Sequence, residues 1–174
     1  MALAVCLLPD APVDAAVRRL WARMEEAGVP SLASHTHRRH TPHLSYAALR
    51  SWDLDAVVAA LGALPERPPV RLHLDALGMF RRSRCWLVPA VTADLAIRQQ
   101  AVVDAVVATG ADLHKHYRPG DWTPHLTLAP RLRLEDLPVV ARLVNDVLPI
   151  TGTASAVVLV DTATGERTTL AHLV

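Results

Sequence analysis

The spacing of apolar and polar positions divides the chain into two similar passes. Ala2 to Leu8 is an apolar run and predicts a strand. Val13, Val17, Leu20, Trp21 and Met24 then recur with helical spacing, and Gly28 follows where a helix would stop. Leu44 to Leu49 predicts a second strand. Leu54, Val57, Val58 and Leu61 mark a short helix, with Ser51 placed to cap it. Val70, Leu72, Leu74 and Ala76 alternate with Arg71, His73 and Asp75, the period of a half-buried third strand ending near Leu77.

The second pass repeats this order. Cys85 to Val91 predicts a strand, and Thr92 caps a helix that runs through Ala108 and closes at Gly110. Leu126 to Leu128 is the next strand. A helix follows from about Asp136, with Pro138 in the first turn, where a missing N–H costs little. Thr153 to Val160 is another strand, and Thr168 to Val174 is expected to pair back across a turn at Thr164, Gly165 and Glu166. A shift of 82 positions carries Gly28 onto Gly110, Asp53 onto Glu135, Leu61 onto Leu143 and Val70 onto Gly152. One shift without gaps thus relates every predicted element. The reading is α+β: two β-α-β-α-β halves, about 1–81 and 82–174, forming one duplicated unit. Pro65 to Pro69 makes a stiff loop inside the first half.

Composition narrows this picture. With 51% hydrophobic residues in 174, the chain can bury a sizeable core. No apolar run reaches the roughly 20 residues of a membrane span, and the short apolar start has no basic segment before Pro9-Asp10 ends it. Cys6 and Cys85 lie in apolar runs without metal-type spacing, which fits a reducing cytoplasm. A soluble, cytoplasmic monomer without a membrane partner is expected. The formal charge of +1 excludes a polycation, so any anion binding must be local.

The same shift of 82 relates Thr41-Pro42-His43-Leu44-Ser45-Tyr46 to Thr123-Pro124-His125-Leu126-Thr127-Leu128. A bare His-x-Ser/Thr carries little information among nine histidines; its recurrence with the flanking Thr-Pro and Leu, in register, does. On a strand, residues i and i+2 share a face. His43 and Ser45 therefore project together while Leu44 and Tyr46 turn to the core, and His125 and Thr127 do the same over Leu126 and Leu128. Two imidazoles and two hydroxyls around one cleft suit phosphodiester chemistry. One histidine takes a proton from the nucleophile and the other returns one to the departing oxygen. The hydroxyls donate to the non-bridging oxygens. This quartet calls for no metal and no other cofactor.

The paired tetrads His43-Leu44-Ser45-Tyr46 and His125-Leu126-Thr127-Leu128 resemble those of the 2H phosphoesterase superfamily, in particular its bacterial 2'-5' RNA ligase and RNA 2',3'-cyclic phosphodiesterase branch. The resemblance spans essentially the whole chain. It implies a bilobal domain over 1–174, with two antiparallel sheets flanking a central cleft. It also implies metal-independent cleavage of 2',3'-cyclic phosphates, on RNA ends or small nucleotides, with 2'-5' ligation as the reverse reaction. The catalytic residues would be His43, His125, Ser45 and Thr127. Tyr46 stands where that family usually has an aliphatic residue, a change that touches no catalytic group.

Cationic, histidine-rich stretches precede both motifs: His35-Thr36-His37-Arg38-Arg39-His40 and His114-Lys115-His116-Tyr117-Arg118. At the mouth of a cleft they would concentrate a phosphate substrate. Arg38, Arg39 and Arg118 are the candidate phosphate contacts, because guanidinium matches phosphate geometry; Tyr117 accompanies them. Trp122 is placed either to stack a base or to pack the core. Two rivals remain. A non-catalytic module binding RNA ends would not need both imidazoles. A metal site at His35, His37, His40 and His43 lacks a carboxylate or thiolate and leaves the second motif unexplained. His73 reads as a surface or cleft-edge side chain, and His172 has no partner visible in the sequence. The basic segment Phe80 to Arg84 reads first as a solvated turn and second as a phosphate or base contact.

Overall fold

In the computed structural model, which describes residues 2–81 and 84–174, every predicted helix and strand is present except that the tail pairs back only over Arg167–Thr169, the residues from Leu170 to Val174 forming no strand. Within the basic segment Phe80 to Arg84, Arg82 and Ser83 lie outside the described residues. The order is β1 (Leu3–Pro9), α1 (Ala11–Glu26), β2 (Leu44–Leu49), α2 (Leu54–Gly62), β3 (Val70–Phe80) and β4 (Arg84–Pro89). There follow α3 (Ala93–Ala108), β5 (Leu126–Ala129), α4 (Leu137–Asn145), β6 (Ile150–Asp161) and β7 (Arg167–Thr169). Gly28 and Gly110 follow α1 and α3 with φ of +80° and +83°, the left-handed geometry that glycine accepts without penalty. Thr92 Oγ1 accepts the Leu95 N–H at 3.1 Å and caps α3. Ser51 does not cap α2: Asp53 accepts the Ala56 N–H at 3.0 Å, and the Ser51 carbonyl takes the N–H of Asp112. The carboxylate two residues nearer the helix is the stronger acceptor for that free donor.

All strands pair antiparallel in one sheet of order β1-β2-β5-β4-β3-β6-β7, and β1 also pairs with β6. Six strands therefore close into a ring with β7 outside it. The two sheets expected from the sequence are the sides of this ring, β2-β1-β6-β7 and β5-β4-β3. The halves exchange their third strands. The inner parts of β3 and β6 pair with each other, Val70 opposite Ala154 through Leu74 opposite Ile150. Their outer parts part company, β3 joining β4 and β6 joining β1. On the opposite side of the ring, β2 meets β5 at Leu44 and Leu126, residues 82 positions apart, so the local dyad passes between them.

The gapless shift of 82 needs correction elsewhere. It holds for α1 against α3 and for β2 against β5. Cross-strand partners place Cys6 opposite Ser45 and Trp86 opposite Thr127, so β1 maps onto β4 with a shift of 80. Both strands have an irregularity immediately before that residue, between Val5 and Cys6 and between Cys85 and Trp86. Helix α2 maps onto α4 with a shift of 83, and the counterpart of buried Leu61 is buried Val144 rather than half-buried Leu143. Core-facing positions dictate register, and the loops absorb the difference.

The helices cover one face of the sheet. Leu3, Val5 and Leu7 of β1 and Leu44 and Tyr46 of β2 join the main core beneath them. The alternate residues Ala4 and Cys6, with Val158 of β6, form a separate cluster on the opposite face, flanked by Leu8 and Val160. No described helix is long and apolar enough to cross a membrane.

Candidate active site

Each motif enters its strand through proline, and each histidine stands one residue before the ladder begins. His43 Nδ1 lies 2.7 Å from its own Thr41 carbonyl oxygen, and His125 Nδ1 lies 2.8 Å from that of Thr123. A carbonyl only accepts, so Nδ1 carries the hydrogen in both rings and Nε2 is left with its lone pair. The Leu44–Leu126 pair brings the two motifs together. Extending its register by one residue sets His43 opposite Thr127 and His125 opposite Ser45, so each imidazole faces the other half's hydroxyl.

Burial pushes both histidine pKa values below the usual 6.5, while the Thr41 and Thr123 carbonyls pull the other way. Positive neighbours lower them further: Arg167 acts on His43, and His43 and Arg84 act on His125. Ser45 is buried, its Oγ 3.5 Å from Cys6 Sγ. Burial pushes the Cys6 thiol up to about 12, so it forms a neutral wall. Tyr117 reaches Ser45 from the second half's loop, and burial holds its phenol at about 12, protonated. Thr127 is half-buried, and its carbonyl takes the Trp21 indole N–H at 3.3 Å.

The residues singled out around the motifs separate into two groups. Tyr117 lies in the site. Trp122 is turned inward: its indole donates to the Ser45 carbonyl at 3.0 Å and its ring packs beside Tyr46 at 6.3 Å. That leaves it the packing role rather than the stacking one. Arg38, Arg39 and Arg118 are exposed, and the charges acting on His43 and His125 come from other arginines. Arg118 lines a groove of about 350 Å³ along α3, with Val103, Asp104 and Val107. Arg39 contributes its carbonyl, which accepts from Arg167 Nη2 at 2.8 Å. Sequence reasoning did not single out Arg167, and it placed Arg84 in a segment read first as a solvated turn and only second as a phosphate or base contact.

The histidine cluster does not assemble metal ligands. His37 and His40 pack ring to ring at 4.1 Å, His37 Nδ1 accepts the Arg39 N–H, and His40 Nε2 is paired with Thr36 Oγ1 at 2.9 Å. Among the described residues no three His, Cys, Asp or Glu side chains converge to hold an ion. His73 sits 3.7 Å from Asp75, and His172 is paired with the Leu64 carbonyl at 2.9 Å.

A closed antiparallel ring with one His-x-Ser/Thr on each side of a local dyad defines a 2H phosphoesterase fold. The chain belongs to the 2'-5' RNA ligase superfamily: a family model of that description matches residues 9–166. The fold is similar to that of E. coli LigT in apo form, with a TM-score of 0.63 at 19% identity over 97% of this chain and 94% of that one. It is also similar to E. coli LigT complexed with 3'-AMP, with a TM-score of 0.60 at 15% identity over 97% and 93%. Kluyveromyces marxianus Usb1 with uridine monophosphate gives a TM-score of 0.51 at 12% identity over 97% of each chain. No curated protein matches the chain. Membership places it among phosphoesterase-like and ligase-like proteins acting on phosphodiester bonds.

Proposed function

We propose that this protein hydrolyses 2',3'-cyclic phosphates of RNA ends or nucleotides without a metal, with His43 and His125 as base and acid and Ser45 and Thr127 holding the phosphoryl oxygens. One histidine Nε2 takes a proton from water as its oxygen bonds to phosphorus. The other gives a proton to the ribose oxygen as the P–O bond breaks, leaving a phosphomonoester and a free hydroxyl. The hydroxyls donate to the non-bridging oxygens as negative charge gathers there. With an RNA 5'-hydroxyl in place of water as the nucleophile, its oxygen bonds to phosphorus as the P–O3' bond breaks and the 3'-oxygen takes the proton, and the same geometry joins a 2'-5' linkage.

The observation that carries this reading is the pinning of both Nδ1–H groups on their own motif carbonyls, which reserves both Nε2 atoms for proton transfer. The nucleotides bound by E. coli LigT (3'-AMP) and K. marxianus Usb1 (uridine monophosphate) are in keeping with it. The test is turnover of a panel of 2',3'-cyclic mononucleotides in the presence of EDTA. Hydrolysis that persists is expected. Hydrolysis abolished by EDTA would overturn metal independence, and no turnover of any cyclic diester would overturn the assignment.

A further inference from the structure

The two sides of the ring match position by position on the face that carries the motifs. Strand partners equate Ala4 with Arg84, Cys6 with Trp86, Val158 with Gly78 and Val160 with Phe80. One side thus has a smooth floor of small aliphatic groups and a thiol. The other has two aromatic rings and a guanidinium. The chain has a single phenylalanine, and it stands half-buried here instead of in the core.

We propose that this β3–β4 floor is a nucleobase-stacking subsite, with Phe80 as the platform, Trp86 as its backing and Arg84 as an anchor for a flanking phosphate. It rests on the phosphodiesterase reading above and fixes the direction in which such a substrate lies, base towards His125. Phe80 stacks on Trp86 with centroids 4.9 Å apart and 30° between planes, and it meets His125 edge-on at 5.0 Å and 88°. Trp86 is itself 5.8 Å from His125. A ring lying on Phe80 would therefore sit next to the imidazole. The backing is rigid: a Cβ at Gly78 would lie 2.5 Å from Trp86 Cζ2, so the indole rests flat on bare backbone. The indole N–H is buried with no acceptor among the described residues, so the ring contributes apolar surface rather than a hydrogen bond. Arg84, opposite Phe80 in the ladder, is exposed and has no carboxylate partner among the described residues. Its positive charge acts on His125 and Tyr117, and on His35 and His114 of the two histidine-rich stretches. An apolar π surface beside an unneutralised guanidinium selects a planar heteroaromatic ring joined to a phosphate.

The test compares kcat/KM on adenosine 2',3'-cyclic phosphate with that on glycerol 1,2-cyclic phosphate, the same five-membered diester without a base. The native protein should favour the nucleotide, and Phe80→Leu should lower that ratio about tenfold while Phe80→Tyr restores it. Equal losses on both substrates in Phe80→Leu would overturn the subsite, since they would make Phe80 a packing residue behind His125. A native ratio near one would overturn it as well. If the native protein turns over neither diester, the phosphodiesterase reading fails and the subsite is judged by binding. Adenosine 2'-monophosphate should then quench tryptophan fluorescence and bind more tightly than inorganic phosphate, with that preference lost in Phe80→Leu. The absence of any preference in the native protein overturns it.

Discussion

On the β1–β2 side Ser45 looks across one strand pair at the thiol of Cys6, whereas on the β4–β5 side Thr127 looks across the equivalent pair at the indole of Trp86. The motif residues themselves are near-copies, each histidine fixed by the same carbonyl two residues before it. Divergence begins one strand away. The quartet proposed to meet a phosphoryl centre from both sides is tied to the dyad at Leu44 and Leu126. Their neighbours lie outside that constraint, so the two sides can match in reactive groups and differ in what they recognise.

The largest effect tests the likeness of the sides. His43→Ala and His125→Ala should each cut kcat on a 2',3'-cyclic nucleotide by about 10²–10⁴-fold. The double variant should lose little more than either single one, because each proton transfer is useful only with the other. A single variant retaining activity within tenfold of native would break the comparison, leaving one side catalytic and the other merely similar.

A smaller effect separates the sides. Both histidines titrate below 6.5 because of burial, with Arg167 lowering His43 and Arg84 lowering His125 further. The general acid must keep its proton, so kcat/KM should already be falling as pH rises past 6.5. Removing a positive neighbour raises the pKa of the histidine beside it. Arg167→Gln should therefore move the limb of the pH profile that belongs to His43, and Arg84→Gln the limb that belongs to His125. The variant that shifts the alkaline limb upward marks the acid, and the one that shifts the acidic limb upward marks the base. Both shifts should shrink in high salt. Two variants moving the same limb would show that the arginines do not serve separate histidines.

The pairing of the two motif strands was legible for a specific reason: motif, helix and glycine positions recur together, and alternation on a strand settles which side chains share a face. The sequence did not show which arginines lie nearest the two histidines, because nearness along the chain is a poor guide inside a closed ring. Arg38, Arg39 and Arg118 flank the motifs in sequence, yet Arg84 and Arg167, from β4 and β7, are the ones that act on the histidines. The exchange of β3 and β6 was equally hidden, since periodicity reports a strand's exposed face and not its partner. The departures from a shift of 82 follow from the same blindness. Leu143 and Val144 are both apolar, and only packing shows that Val144 takes the place of Leu61.

The two histidine-rich loops offer the finest contrast. In the first, Thr36 and Arg38 have φ of 45° and 58°, and His40 stacks on His37. Burial, then the neighbouring His37, His43 and His35, holds His40 at about 4. In the second loop, burial and then His116, Arg50, Lys115 and Arg84 lower His114, without so large a displacement. Above pH 6.5 both rings are neutral in the folded and unfolded chain, and neither alters stability. Between 6.5 and about 4 the unfolded chain binds a proton on His40 that the folded chain refuses, so stability falls as pH falls; below about 4 both states bind it and the loss levels off. His40→Asn should therefore flatten the decline in Tm between pH 6.5 and 4 by about 2–4 °C, and His114→Asn by less. Equal flattening by the two variants would mean that the loops resist protonation alike, and that the strained, ring-stacked geometry of the first has no energetic counterpart.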